Sequence, residues 1–265
     1  RASVRVQYAG DGAQTDLVAG RQSKKFGWVN LYTPFNSPES EDIETTLLAF
    51  NHRRPQGVNG GYLQVSAYHR ENYDDYRFNR FAPVGPVLPF EHTTWVYGTA
   101  IDGRWASAGA WSAGYRVGVL TDEIKSTSLT AGTYPSRTHL SAGLFPEWRA
   151  ASGGGTWVVT AGAAVDDTNR DDPELSPLME VARERPGRAV NRLHAGYTKT
   201  TQMPGYTALN ASATAGLFRG NPNLGRSVSH NFETGIQFAT AGWEGNAIVF
   251  YRRDDALVDW TFQRG

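Results

Sequence analysis

Apolar side chains alternate with small or polar ones along much of this chain, and a period of two puts them on opposite faces of an extended backbone. Beyond Trp111, the positions Ala113, Tyr115, Val117 and Val119 are apolar, while Ser112, Gly114, Arg116 and Gly118 fill the other face. Leu193, Ala195 and Tyr197 are interleaved with His194 and Gly196, and Phe232, Ile236 and Phe238 oppose Glu233, Gly235 and Gln237. No stretch approaches the roughly 18 consecutive apolar residues of a membrane-crossing helix. Strands of about ten residues, apolar on alternate positions, can still cross a bilayer.

About twelve such segments are predicted, near 2–9, 14–25, 45–52, 61–71, 93–103, 111–121, 138–149, 156–166, 176–185, 190–200, 229–240 and 243–254. The connections around 10–13, 53–60, 104–110, 150–155, 186–189 and 241–242 are short and rich in Gly or Pro, as tight turns require. Those around 26–44, 72–92, 122–137, 167–175 and 201–228 are mostly much longer. Short and long connections therefore alternate, as in a transmembrane barrel with brief periplasmic turns and extended outer loops. Five of the eight Trp fall at the short-turn rim: Trp105, Trp111, Trp148, Trp157 and Trp243. Indole rings suit the headgroup zone, where an apolar body and a polar N–H are both accommodated. The competing reading is Trp capping the strands of a water-soluble protein. Leu175 to Glu184 has some helical character, but Pro173, Pro177 and Pro186 favour a strand there.

Composition removes whole classes of chemistry. Without Cys there is no disulfide framework, thiolate zinc site or thiol nucleophile. Lys plus Arg equal Asp plus Glu at 26 each, so no bulk attraction to nucleic acid is expected. The chain opens on Arg1-Ala2-Ser3-Val4-Arg5, which reads as a strand and not as a signal peptide. On that ground it is expected to be an excerpt of a longer protein.

Several short elements carry a resemblance. Gly220-Asn221-Pro222-Asn223-Leu224, followed by Asn231-Phe232-Glu233-Thr234-Gly235, is similar to the Gly-Asn-Pro-Asp/Asn-Leu element and following Glu-x-Gly strand of TonB-dependent outer-membrane receptors. Tyr197 to Tyr206 resembles the strand and Pro-containing loop that precede that element, and Val249 to Asp254 the strand that follows. Lys25-Phe26-Gly27 with Leu31-Tyr32 resembles a Phe-Gly…Phe-Tyr loop in receptors for siderophores and cobalamin. After Leu224 the chain departs from the pattern, with Gly225-Arg226-Ser227 where Lys-Pro-Glu is common.

The resemblance implies an all-β fold: an antiparallel transmembrane β-barrel, here a partial barrel of about twelve strands from an expected 22-stranded one closed around a plug. Residues 1–265 would be a barrel segment, with the plug, the TonB box and the carboxy-terminal strands absent, since the chain stops at Arg264-Gly265. It implies active uptake through the TonB complex of a bulky nutrient such as a ferric siderophore or vitamin B12 (cobalamin), in the outer membrane of a Gram-negative-type bacterium. Outer-membrane lipid, the TonB complex and a small-molecule ligand are the expected partners, nucleic acid is not, and no enzyme activity is expected.

In the loop after Arg70, Tyr73, Tyr76, Arg77 and Arg80 alternate aromatic and charged groups and could hold a planar, anionic or sugar-like ligand. The alternative is loop packing with solvated charges. Tyr206, Asn210, Arg219 and Asn221 are further candidates, whereas Gly220, Pro222 and Gly225 suit turns. Asp167, Asn169 and Asp171 have Asp-x-Asn-x-Asp spacing that could bind structural calcium in an outer loop, although no Gly follows where a helix-loop-helix site needs one. A solvated loop is the competing reading. A second acidic run, Glu39, Glu41, Asp42 and Glu44, could contribute if the loops meet. No cofactor is otherwise expected.

No Gly-x-Ser-x-Gly, His-Glu-x-x-His or phosphate-loop motif is present, and the six His are scattered. The alternatives are a soluble β-rich carbohydrate-binding or glycoside-hydrolysing protein, and a passive porin. A soluble fold turns Tyr197, Phe232, Ile236 and Phe238 into a compact core, and a membrane barrel turns them outward.

Overall fold

The computed structural model describes residues 1–33, 35–57, 60–82, 90–129, 136–211 and 219–259. Parts of the connections around 26–44, 53–60, 72–92, 122–137 and 201–228, together with Arg264-Gly265, lie outside the described residues. The chain forms one twelve-stranded antiparallel sheet in which every strand pairs with its sequence neighbours. The strands are β1 (Ala2–Gly10), β2 (Ala13–Phe26), β3 (Ser40–Pro55), β4 (Tyr62–Arg77), β5 (Phe90–Ala106) and β6 (Trp111–Ser126). They continue as β7 (Ser136–Ser152), β8 (Gly155–Thr168), β9 (Asp171–Glu184), β10 (Val190–Gln202), β11 (Ser227–Thr240) and β12 (Trp243–Asp255). One short helix, α1 (Tyr206–Asn210), lies between β10 and β11, in a segment expected to be loop.

The register shows what alternation is for. Residues directly opposite on neighbouring strands share a face. The row Val65, Ile101, Val117, Ala142, Val165 and Leu175 is continuous across six strands on one face. The adjacent row, Ser66, Ala100, Gly118, Ser141, Asp166 and Glu174, is small or acidic and occupies the other. The apolar face is solvent-accessible: Val117 is 60% exposed, Leu144 57% and Phe232 48%. Fully buried apolar side chains are few, and no compact core forms among the described residues. Tyr197, Phe232, Ile236 and Phe238 share this outward face. The soluble alternative falls on that observation, because such a surface is compatible with hydrocarbon and not with water.

The Trp positions sharpen the boundary. Trp111 pairs with Trp148, Trp105 with Ala113, Trp157 with Ala150 and Trp243 with Thr240, which places all five rim indoles on the apolar face. Along β6 that face runs from Trp111 through Val119 and then turns polar at Thr121, Glu123 and Lys125. This matches the roughly ten residues that a tilted strand needs to cross a bilayer. The strands go on beyond that point, so β3 to β7 stand above the apolar band as a wall.

This extension corrects two expectations. The predicted strands 45–52, 61–71 and 93–103 are too short, because above the band both faces are polar and the alternation fades. The connection around 167–175, expected to be long, is a tight turn at Asn169-Arg170 between Thr168 and Asp171. The segment with three prolines is a strand: Pro173 and Pro177 fall where β9 pairs with β8 alone, since its pairing with β10 begins at Leu178. A residue without an N–H is tolerated on such an unpaired edge.

Candidate functional site

Two constellations occupy the polar face above the apolar band. The first is on β3, β4 and the loop between β2 and β3. Glu39 is fully buried and accepts hydrogen bonds from the Tyr32 N–H at 2.7 Å, the Thr33 N–H at 3.1 Å and the Thr33 hydroxyl. The Tyr32 hydroxyl donates to Glu41, and burial, with Glu41 next, pushes that phenol well above the ordinary tyrosine range. Tyr32 packs edge-on against Tyr76 at 5.6 Å, and Tyr76 stacks with Phe90 at 5.8 Å and 9°. Beside them, Asp74 lies opposite His92. The result is a polar-face wall of aromatic rings backed by carboxylates.

The second constellation holds the segment between β10 and β11 inside the mouth. Asp122 and Arg137 are cross-strand partners on β6 and β7, both on the polar face. Arg137 grips the Asp122 carboxylate at 3.0 and 2.5 Å and donates to the Pro204 carbonyl at 2.7 Å. The Tyr206 hydroxyl donates to the carboxylate and carbonyl of Asp122, 2.9 Å from each. Burial, and then the Asp122 charge, hold that phenol above its usual range. A bridge between Leu129 and Ala211 adds a second anchor.

The Gly-Asn-Pro-Asn-Leu element completes this strap. Gly220 N–H donates to Ala211 O at 3.1 Å and Asn221 N–H to Ala208 O at 2.8 Å, so the turn is laid against α1. A side chain at Gly220 would lie 2.5 Å from Ala211 N, which requires glycine at this close approach. Arg170 reaches the Pro222 carbonyl, and the Arg226 N–H donates to Asp171 at 3.3 Å. The strap therefore runs from Asp122 and Arg137 to the β8–β9 turn.

Of the residues predicted from sequence, Tyr73, Tyr76 and Arg77 stand on β4 and not in a loop. Tyr76 faces the polar side, while Tyr73 and Arg77 lie on the opposite face, where Arg77 is held by Asp75 at 2.7 Å. Arg80 lies in the following loop, its guanidinium 4.9 Å from the Phe81 ring. Tyr206 and Asn210 are buried in the strap; Arg219 and Asn221 are exposed on it. Asp167, Asn169 and Asp171 do not converge. Asn169 accepts from the Thr138 N–H, Asp171 pairs with Arg226, and Asp167 lies on the apolar-face row of β8. Among the described residues no group of three or more His, Cys, Asp or Glu side chains is arranged to hold a metal ion. The partners of Tyr206 were missed, because Asp122 is 84 positions away in sequence and nothing local marks it.

Comparison with known proteins agrees with this architecture. Residues 2–263 match the family described as TonB dependent receptor-like, beta-barrel. No curated protein is a significant sequence match. Among solved structures, the siderophore receptor PirA from Pseudomonas aeruginosa superposes with a TM-score of 0.69 at 16% identity, over 94% of this chain and 45% of that one. The hemophore receptor HasR of Serratia marcescens, solved with its hemophore HasA and heme, gives 0.65 at 16% identity, over 96% and 45%. The copper transporter OprC gives 0.64 at 13% identity, over 94% and 44%. At such identities the likeness is one of fold, and the chain spans less than half the length of each of these structures. The outward apolar band, the Trp rim, the twelve-stranded antiparallel meander and the match over nearly the whole sequence converge: this chain belongs to the TonB-dependent receptor β-barrel family of the outer membrane and forms part of such a barrel.

Proposed function

We propose that this barrel segment serves TonB-driven uptake of a bulky chelated nutrient, a ferric siderophore in first place and cobalamin as the alternative cargo. The observation that carries the reading is the strap: a folded, multiply anchored segment on the polar face, at the long-loop end. Structurally similar proteins include a siderophore receptor, a hemophore receptor bound to its hemophore and heme, and a copper transporter, which supports metal-linked cargo. Within this reading, Tyr76 on the polar-face wall and Arg219 and Asn221 on the exposed strap are the ligand-facing candidates. Tyr206 and Asn210 hold the strap in place.

The test uses the full-length gene product in the outer membrane of cells with and without TonB. Uptake of a labelled ferric siderophore or cobalamin that needs both the receptor and TonB supports the proposal. Diffusion of small solutes independent of TonB would replace it with a porin.

A further inference from the structure

The short-turn rim sorts its charges by face. On the lumen side, Arg104 pairs with Glu147 at 2.7 Å, Arg149 bridges Glu147 and Glu184, and Arg192 is held by Glu180. On the outward side, β9 carries Arg183, opposite Trp157 on β8 and Leu193 on β10. Arg185 and Arg188 follow in the turn between β9 and β10, and both are exposed. Among the described residues none of these three arginines pairs with a carboxylate, since the nearby Glu180 and Glu184 are taken by Arg192 and Arg149.

Glycine shapes a notch beside them. Gly153 and Gly154 turn the chain from β7 to β8 with φ of 54° and 70°, and Gly155 opens β8. A β-carbon on Gly155 would lie 2.9 Å from Arg185 Cγ and 3.4 Å from Arg183 Nε, so both arginines lie over that residue. Arg183 Nη2 donates to the carbonyls of Ser152 and, at 3.3 Å, Gly153, and the guanidinium stands 4.9 Å from the Trp157 ring. The side chain is held, yet its Nε and Nη1 meet no acceptor among the described residues, and the residue is only 7% exposed. A cation taken out of water without a counter-ion is strongly unfavourable. Both strands flanking Arg183 are present, and further barrel strands join beyond β1 and β12, away from this face. What a barrel's outward face meets is lipid.

We propose that this notch binds the headgroup phosphate of an anionic phospholipid in the leaflet on the short-turn side of the membrane. Arg185 and Arg188 are the exposed donors that a phosphate reaches first, and Arg183 places a third positive charge beneath them. Trp157, 42% exposed on the same face, marks headgroup depth. Farther along β9 the outward residues are Val181, Met179 and Leu175, the last two 52% and 54% exposed, an apolar stripe for the acyl chains. Cations at the rim followed by apolar side chains reproduce the order of phosphate and hydrocarbon in a phospholipid. An anionic headgroup is favoured over a zwitterionic one, whose own ammonium the three arginines repel. The site concerns the surrounding lipid and is independent of the cargo.

The test reconstitutes the full-length receptor in vesicles of phosphatidylcholine and phosphatidylglycerol, one or the other lipid carrying bromine near the headgroup end of its acyl chains. Bromine quenches adjacent indoles, so the fluorescence of the parent minus that of Trp157→Phe reports which lipid stands at Trp157. The expected result is a preference for phosphatidylglycerol of about fivefold, the worth of one arginine at a lipid surface. Trp243, three strands away on the same rim with no arginine in its turn, is read through Trp243→Phe and shows no preference. Arg185→Gln lowers the preference at Trp157, and Arg183→Gln combined with Arg185→Gln abolishes it, while lysine at both positions keeps it. Arg183 also braces the β7–β8 turn, so thermal unfolding checks each variant, and the exposed Arg185→Gln carries the test if Arg183→Gln does not fold. Equal quenching by the two lipids at Trp157, or a preference unchanged in Arg185→Gln, overturns the site. A preference of the same size at Trp243 also overturns it, because the attraction then belongs to the whole rim and not to the notch.

Discussion

The Arg137 guanidinium lies 4.1 Å from the centre of the Tyr206 ring, and both side chains hydrogen-bond the carboxylate of Asp122. The Asp122 and Arg137 side chains are only 12% and 11% exposed, so this is a desolvated ion pair capped by an aromatic ring. Removing Arg137 leaves Asp122 charged and buried without its counter-ion, with only the Tyr206 hydroxyl still bonded to it. Arg137→Ala is therefore expected to cost about 3–5 kcal/mol locally. Tyr206→Phe keeps the ring over the guanidinium and loses a hydrogen bond to a charged group, a smaller cost of about 1.5–3 kcal/mol. Limited proteolysis between Met203 and Arg226 reads the difference: rapid cleavage in Arg137→Ala, intermediate in Tyr206→Phe. A strap that stays resistant in Arg137→Ala would show that the ion pair does not hold it.

The same network fixes a pH dependence. Burial raises the Tyr206 phenol first and the Asp122 charge raises it further. A folded value above the unfolded one means that the folded state holds its proton longer, so this contribution to stability is intact below about pH 10, the ordinary tyrosine value. It is lost as pH rises through the folded value. The phenolate absorbance of the native receptor minus that of Tyr206→Phe should show this group ionising at higher pH than in denaturant. Coincident titration curves would contradict the buried placement.

What could be read from the residues alone follows from where local order carries the information. Alternation is a local signal, so all twelve strands and the outward face of Val117 and Phe232 were legible. Above the apolar band that signal disappears: Asp74, Asp75, Tyr76 and Arg77 put polar groups on both faces and look like loop, although they are the end of β4. The Asn169-Arg170 turn was misread for the same reason, since acidic and amide residues in a row are common to loops and to polar strand ends. Tyr206 was legible as a candidate but not its task, because Asp122 and Arg137 reach it only through the register of β6 with β7. The row of small lumen-facing residues Ser66, Ala100, Gly118 and Ser141 was illegible, because they meet only when β4 to β7 are aligned.

Gly98 and Tyr68 make a close pair whose coupling can be measured. A β-carbon on Gly98 would come within 2.3 Å of the Tyr68 ring, so Gly98→Ala must drive that ring off the wall and into the lumen. Overpacking of this kind costs roughly 1–3 kcal/mol. With the ring removed in Tyr68→Ala, the same glycine change no longer meets that clash. A double-mutant cycle in denaturant unfolding should thus return a coupling of about 1 kcal/mol or more between the two positions. Additive effects would mean that the ring is not laid over Gly98.

Neighbouring residues on β6 test the orientation of the whole sheet. Arg116 already stands on the lumen face, one position from Val117, which is 60% exposed on the apolar face. If that exposure is to hydrocarbon, Val117→Arg places a charge near mid-bilayer, at a cost of about 2–4 kcal/mol. Trp111→Arg, at the rim on the same face, falls in the interfacial zone and should cost no more than about 1 kcal/mol beyond the lost indole packing. Gln64→Arg is the lumen-side control: it lies opposite Asp102, gains an acidic neighbour and stays in water. Reversible unfolding of the full-length receptor in phospholipid vesicles ranks the three, with Val117→Arg lowest and Gln64→Arg close to the parent. Equal tolerance of arginine at Val117 and Gln64 would mean that the two faces see the same solvent, which no membrane-spanning sheet can satisfy.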